Sequence, residues 1–400
     1  MNKMRGGICL VPLTNAVSGT ERVLADIAEA LAQQGQDVSA LIPRFEGGDR
    51  LDRYAADLQH IAPGTGRMEQ VHGARSPLKN LLLCWRFFRR NRPQIVHFHC
   101  PHYRWGLEVV IAASLARVPR ILRTEHNPLM GPPGRLFAAP LAWADREVTT
   151  FTYVSRGNQA RYEALLPRRR GRGRVICNGV DPERFAPGKD AGQAKRVRAE
   201  FGFPENSRIA IHISAFGGRR PLTPIFEAFR SLLNDPRTRG PAEQWRILIV
   251  GEGDEAQKTA PERLEIAPFV HFAGRREDVA RILPQCDLYV NASHFEGLAS
   301  AMLEAWAAGL PVLTTDVDGV SDVIGEAGPR PVVPIGDSAA FAAAWWEAMT
   351  GLTDRLPPQQ AATRTVREQF TTARMVADYL SLYRGAAETV AQGRAVYAGN

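Results

Sequence analysis

Apolar and polar residues alternate along this chain in two rhythms. Short runs rich in Val, Ile, Leu and Phe are each followed by a longer stretch with apolar residues at helical spacing. In the first half the pattern predicts strands over 7–13, 37–43, 94–99, 120–126, 147–154 and 174–177, with helices over 20–34, 77–90, 105–117, 134–144 and 156–166. Such a βαβ order implies a parallel sheet with helices on both faces. The segment 178–188, opening on Asn178-Gly179 and closing on Pro187-Gly188, breaks the rhythm with Gly and Pro and marks a domain junction. The rhythm then restarts, with strands predicted over 208–214, 245–251, 269–274, 287–292, 311–315 and 331–334, and a last helix over 373–384. The predicted fold class is α/β, two doubly wound Rossmann-like domains facing across a cleft. Domain limits are set at 1–180 and 181–372, and 373–400 is expected to be a helical segment returning to the first domain. Open sheets of this kind bind ligands at the carboxyl ends of their strands.

Composition agrees with that organisation. The chain of 400 residues is long enough for two cores of about 200 residues each, and its 44% apolar and 23% charged residues are ordinary for a globular protein. The apolar run 7–13 is short and ends in polar residues, so it reads as a first strand and not as a signal peptide. Five scattered cysteines, Cys9, Cys84, Cys100, Cys177 and Cys286, give an odd number with no C-x-x-C pair, which argues against a disulfide framework and for a reducing cytoplasm. The formal charge is +8, and arginines cluster at Arg86, Arg89, Arg90 and Arg92 and again over 168–174. Charge alone is compatible with a polyanion partner or with ordinary solvated surface. No nucleic-acid motif accompanies it, and no nucleic-acid partner is expected.

Some motifs are misleading. No G-x-G-x-x-G follows the first strand, and Gly251-Glu252-Gly253 supplies only two glycines, which argues against a dinucleotide. Asp316-Val317-Asp318 has the form of a metal-binding pair, and His97, His99 and His102 surround Cys100. The strand alternation of His97 and His99 and the lack of further ligand spacing argue against a closed zinc site. No metal is expected.

The segment 293–311 carries the chemistry. Glu296 and Glu304 lie eight positions apart, which on a continuous helix would set them about 12 Å apart and about 80° off a common face. A turn at Glu296-Gly297 would instead leave Glu296 ahead of a helix beginning near Ala299. Glu304 would then lie about a turn inside it, with Gly309 and Pro311 ending it. Amides at the helix start suit an anion, and a carboxylate can accept both hydrogen bonds from a ribose diol. A ligand with hydroxyls at both ends and a diphosphate between them, such as a nucleotide sugar, matches this layout.

The run His294-Phe295-Glu296-Gly297-Leu298-Ala299, with Glu304 and Gly309 following, resembles the E-x(7)-E signature of the retaining GT-B glycosyltransferases of family four. Further similarity lies at 19–23, 178–185, 250–253 and 312–324. The resemblance implies a GT-B fold and a nucleoside diphosphate sugar as substrate, UDP- or GDP-linked, with no cofactor. It assigns the nucleotide ribose to Glu304, donor-sugar contacts to Glu296 and His126, and donor or phosphate contacts to the amides of Gly297, Leu298 and Ala299. Gly19 and Thr20 would face the diphosphate, which Arg219 and Arg220 would neutralise. Catalytic roles fall to His126, Glu296 and Arg220, and the acceptor side to His99, His102 and Asn127. The family's phosphate-binding arginine aligns with Ala215, which leaves Arg219 as its candidate substitute.

The implied activity is retaining glycosyl transfer to a glycan, lipid-linked or small-molecule acceptor in polysaccharide or glycoconjugate biosynthesis. Alternatives are a GT-B-shaped sugar-nucleotide epimerase, an inactive donor-binding relative, and a basic nucleic-acid-binding protein. The stretches 78–90 and 130–143 mix aromatic or apolar residues with arginines. They pack on the sheet or touch an anionic membrane, so a cytoplasmic location at the inner membrane face stays open.

Overall fold

A computed structural model of the chain describes residues 7–13, 19–43, 67–71, 77–103, 106–188, 190–325, 332–350 and 356–397. The chain divides into two compact units, Met1–Asn178 with Thr372–Asn400, and Gly179–Thr371. In the first unit the strands are β1 (Ile8–Pro12), β2 (Val38–Pro43), β3 (Arg67–Val71), β4 (Ile95–Cys100), β5 (Arg120–Glu125), β6 (Thr150–Tyr153) and β7 (Gly173–Val175). They form one sheet in the order β3-β2-β1-β4-β5-β6-β7, parallel throughout. In the second unit β8 (Arg208–Ile213), β9 (Trp245–Val250), β10 (Val270–Gly274), β11 (Leu288–Asn291), β12 (Val312–Thr315) and β13 (Val332–Val333) form a parallel sheet in the order β10-β9-β8-β11-β12-β13. Both are doubly wound Rossmann-like sheets. Strand order reverses between β1 and β4 in one and between β8 and β11 in the other.

Alternation along the strands sorts side chains onto two buried faces. Ile8 and Leu10 of β1 join a core with Leu24, Ile27 and Leu31 of helix Gly19–Gln33 and with Met375, Tyr379 and Tyr383 of helix Thr372–Tyr397. Cys9 and Val11 point the other way. That face is covered by helices Pro77–Asn91, Leu107–Leu115 and Arg135–Glu147 through Phe87, Phe88, Val109, Val110, Leu141 and Ala144. In the second unit Phe226, Phe229, Ile247, Ile249, Val290 and Trp345 fill one such layer.

One expectation needs correction. The pattern gave no strand between 43 and 77, yet β3 closes the first sheet at its edge beside β2. The arginine run over 168–174 divides, with Arg168, Arg170 and Arg174 exposed, Arg172 half-buried and Arg169 turned inward. Arg169 is fully buried and donates to Glu125 Oε1 and Asp145 Oδ1, each at 2.7 Å, while its guanidinium lies 4.2 Å from the centre of the Phe151 ring. Arg123 Nε donates to the same Glu125 oxygen at 2.7 Å, Arg168 Nε to Asp145 Oδ2 at 2.7 Å, and Arg172 Nη1 to the Asp145 carbonyl at 2.8 Å. These cations spend their hydrogen bonds within the protein.

Burial alone would push the Glu125 carboxyl up, but Arg123 and Arg169 override it and hold it below the usual range. A depressed carboxyl stabilises the fold fully above its unfolded pKa of about 4.3, and that contribution is lost as pH falls through the lower folded value. Glu125→Gln leaves two buried guanidinium groups short of their counter-charge and is expected to cost about 3–5 kcal/mol. Urea unfolding at neutral pH measures that loss, and the gap between wild type and variant should narrow towards pH 3.

Candidate functional site

The reversal between β8 and β11 sets two loops side by side at the carboxyl edge of the second sheet, where such sheets leave a crevice. The loop after β8 is stitched to the chain leaving β9. The Ser214 amide donates to the Val250 carbonyl at 3.0 Å, the Phe216 amide to Glu252 at 3.2 Å, and the Asp254 amide to Phe216 at 3.2 Å. A Cβ at Gly251 would lie 1.9 Å from the Ser214 carbonyl oxygen, and one at Gly253 would lie 2.0 Å from that of Phe216. The glycine pair thus lets two backbones touch. The loop closes in a turn, with the Arg220 amide donating to the Gly217 carbonyl at 2.7 Å, and this turn presents Arg219 and Arg220.

What they meet is Glu296. Arg220 Nη2 donates to Glu296 Oε2 at 2.8 Å, and its Nε donates to Oε1, a bidentate pairing. Ser293 Oγ lies 3.1 Å from Glu296 Oε1 and 2.7 Å from Asn291 Oδ1, with one proton for the two acceptors. Asn291 Nδ2 donates to Thr314 Oγ1 at 3.2 Å, and Thr315 Oγ1 donates to the Ser293 carbonyl, which braces this loop against β12. The His294 amide donates to the Arg219 carbonyl at 2.9 Å and joins the two loops. Below them, His212 pairs with the Val290 carbonyl at 2.9 Å and Ser214 Oγ at 2.6 Å. Burial first, then Arg220, lowers its pKa to about 4, so the ring is neutral at pH 7.

Glu296 is 4% exposed. Burial would raise its pKa, but Arg220, Arg219 and the Ser293 hydroxyl bring it below the usual range, and it is a carboxylate at neutral pH. Arg219 lies with its guanidinium carbon 5.9 Å from the centre of the Phe295 ring. Ala215, where the family arginine was expected, is exposed on the same loop and carries no charge.

Beyond Glu296, Ala299 is in an extended conformation and caps helix Ser300–Ala307, with Glu304 half-buried in its second turn. Gly309, at φ 77°, takes the chain out of it in the left-handed conformation. Gly319, at φ 86°, brings the turn after β12 against this segment, since a Cβ there would lie 2.5 Å from the Gly297 carbonyl oxygen. Asp316 and Asp318 lie on that same turn, the first exposed and the second half-buried. The second unit therefore brings Arg219, Arg220, Glu296, Gly297, Leu298, Ala299 and Glu304 to one end of its sheet.

The first unit holds the other expected residues. Gly19 is exposed and Thr20 buried at the start of helix Gly19–Gln33. His99, at the end of β4, and His126, just past β5, meet through Nδ1 and Nε2 at 3.1 Å. Asn127 Nδ2 donates to the Pro101 carbonyl at 2.8 Å, and exposed His102 stacks on Tyr103 at 4.9 Å. His97 is tied to Tyr383 at 2.6 Å and Thr124 at 2.7 Å. Burial, opposed by Glu125, lowers the pKa of His126 to about 4.

The family model described as Glycosyltransferase Family 4 matches residues 17–184, and that described as Glycosyl transferases group 1 matches 215–350. The chain belongs to glycosyltransferase family 4. The N-acetyl-alpha-D-glucosaminyl L-malate synthase of Bacillus anthracis is 27% identical over 52% of this chain and 52% of its own length. The lipopolysaccharide core biosynthesis glycosyltransferase LpsE of Rhizobium meliloti is 26% identical over 91% of this chain and 95% of its own. The chain spans about half the length of the first few curated relatives it matches. The solved structure of Anabaena Alr3699/HepE in complex with UDP superposes with a TM-score of 0.75 at 16% identity, covering 96% of this chain and 100% of that one. The fold is GT-B.

Sequence reasoning missed Ser293, Asn291 and His212, the residues that hold Glu296 and the loop carrying Arg220. Their signal is position, because all lie at or just beyond the carboxyl ends of β8 and β11. In the first unit the buried Nε2 of His99 has no hydrogen-bond partner among the described residues. An orphaned lone pair is tolerated better than an orphaned N–H, which favours the tautomer in which His99 carries its proton on Nδ1 and donates to His126 Nε2. In that tautomer His126, accepting at Nε2, keeps its own proton on Nδ1. Long-range ¹H–¹⁵N NMR should show a neutral, Nδ1-protonated His126 at pH 6, and a cationic ring or the Nε2 tautomer would contradict it.

Proposed function

We propose that the protein transfers a glycosyl unit from a nucleoside diphosphate sugar to an acceptor hydroxyl with retention at the anomeric carbon. The observation that carries the reading is the Arg220–Glu296 pair, set at the reversal of the second sheet and just ahead of the helix bearing Glu304. Arg219 and Arg220 supply two cations for a diphosphate, the start of helix Ser300–Ala307 suits its oxygens, and Glu304 suits a ribose diol. Glu296, ionised and held on both oxygens, is placed to accept hydrogen bonds from donor-sugar hydroxyls.

In the proposed reaction the bond from the anomeric carbon to the phosphate oxygen breaks, and the leaving diphosphate is stabilised by Arg220 and Arg219. The acceptor oxygen bonds to the anomeric carbon from the face the diphosphate leaves, and its proton passes to the departing phosphate oxygen. A uridine or guanosine donor fits the reading. The UDP bound to Anabaena HepE supports uridine. LpsE, named for lipopolysaccharide core biosynthesis, supports a glycan or lipid-linked acceptor and a role in glycoconjugate assembly.

Thermal unfolding with UDP, GDP and ADP tests the donor site. One of the three should raise Tm by several degrees, and Glu304→Ala should remove most of the shift while leaving the unliganded Tm nearly unchanged. No shift with any of the three would overturn the reading. Turnover of the donor without acceptor, giving an epimerised sugar nucleotide, would replace transfer by epimerisation.

A further inference from the structure

Seven of the eight large apolar side chains that stand exposed among the described residues fall between Leu78 and Trp143, on the first unit. They come from three helices packed side by side on one face of the sheet, Pro77–Asn91, Leu107–Leu115 and Arg135–Glu147, and from the loop before the last. Scattered apolar residues at a surface need no account, but such concentration does.

Helix Arg135–Glu147 is the clearest case. Leu136, Ala139, Pro140 and Trp143 fall at i, i+3, i+4 and i+7, the stripe that normally faces a core. All four are exposed, Leu136 at 88%, whereas the buried side is made by Leu141, Ala144 and Asp145. On helix Pro77–Asn91 the exposed stripe runs from Leu78 and Leu82 to Arg86 and Arg89.

Charge on this face has a single sign. Among the described residues from 78 to 147 every exposed charged side chain is a cation, Arg86, Arg89, Arg117, Arg135 and Arg146 among them. The acidic residues of the same stretch are drawn in. Glu125 and Asp145 are buried in the ionic network, Glu108 is half-buried, and Glu147 accepts from Ser114 Oγ at 2.5 Å. Among the described residues no helix is long and apolar enough to cross a membrane.

We propose that this three-helix face lies on an anionic lipid surface, with Leu136 and Trp143 entering the acyl boundary and the surrounding arginines pairing with lipid phosphates. Apolar stripes interspersed with cations, free of exposed carboxylates, are what an interfacial helix needs and what a soluble acidic partner would not require. The helix, about 20 Å long, would lie in the plane of the surface. The inference stands apart from the donor reading.

Cosedimentation with extruded vesicles tests it, using phosphatidylethanolamine with phosphatidylglycerol against phosphatidylcholine alone. The full chain should partition onto the anionic vesicles and only weakly onto the neutral ones. The double variant Leu136→Ser with Trp143→Ser should lose about tenfold in partitioning, with an unchanged Tm showing that it folds. Arg135→Glu with Arg146→Glu should lose as much at low salt and less at high salt. Failure to bind anionic vesicles overturns the proposal. So does binding that salt abolishes and the serine variant leaves intact, which assigns the face to a soluble polyanion. A wild-type dimer in sedimentation velocity that the serine variant dissociates gives the face to a second copy and overturns it as well.

Discussion

Glu296 is a carboxylate placed almost out of reach of water, and the second unit's site depends on the guanidinium that keeps it ionised. Taking both charges out of solvent is costly, and only bidentate geometry with a further hydrogen bond offsets that cost. Arg220 supplies the geometry and Ser293 the extra contact. The other observed features of the site serve this pairing. Two glycines allow the β9 and β8 loops to touch, the turn at Gly217–Arg220 aims the guanidinium, and Thr315 and Asn291 fix the loop that carries the carboxylate.

The pairing also poises the site. A guanidinium that already satisfies one carboxylate is preorganised for a second oxyanion, because its remaining N–H groups keep their direction. A diphosphate arriving beside it would meet cations fixed before binding, with little reorganisation left to make. Arg219, on the same turn, places a second cation in the sequence position next to it, although the family's usual arginine is replaced by Ala215.

How much of this the sequence disclosed follows from how local each feature is. The strands, the helix beginning at Ser300 and the break at Gly309 are written in runs of adjacent residues, and the spacing of Glu296 and Glu304 already suggested a carboxylate on either side of a helix start. β3 was missed because Arg67–Val71 is mostly polar, with nothing in its own pattern to distinguish it from a loop. The ionic cluster was missed for a different reason. Arg169 finds Glu125 and Asp145 at separations of 44 and 24 residues, and no periodicity connects charges that far apart. The stripe through Leu136 and Trp143 was legible as a stripe, but its spacing is the same whether it faces a core or the solvent. Only the packing of Leu141 and Ala144 decides that it points outward.

The central claim is that Arg220 belongs to a diphosphate site, and calorimetric titration with the diphosphate and the monophosphate of one nucleoside tests it most directly. UDP against UMP, and GDP against GMP, isolate the contribution of the second phosphate. In the wild type the diphosphate should bind at least tenfold more tightly, a difference of about 1.4 kcal/mol. In Arg220→Met most of that preference should be lost while the monophosphate binds nearly as before, Arg219 and the helix amides keeping the remainder. A preference equally large in the variant would contradict the account.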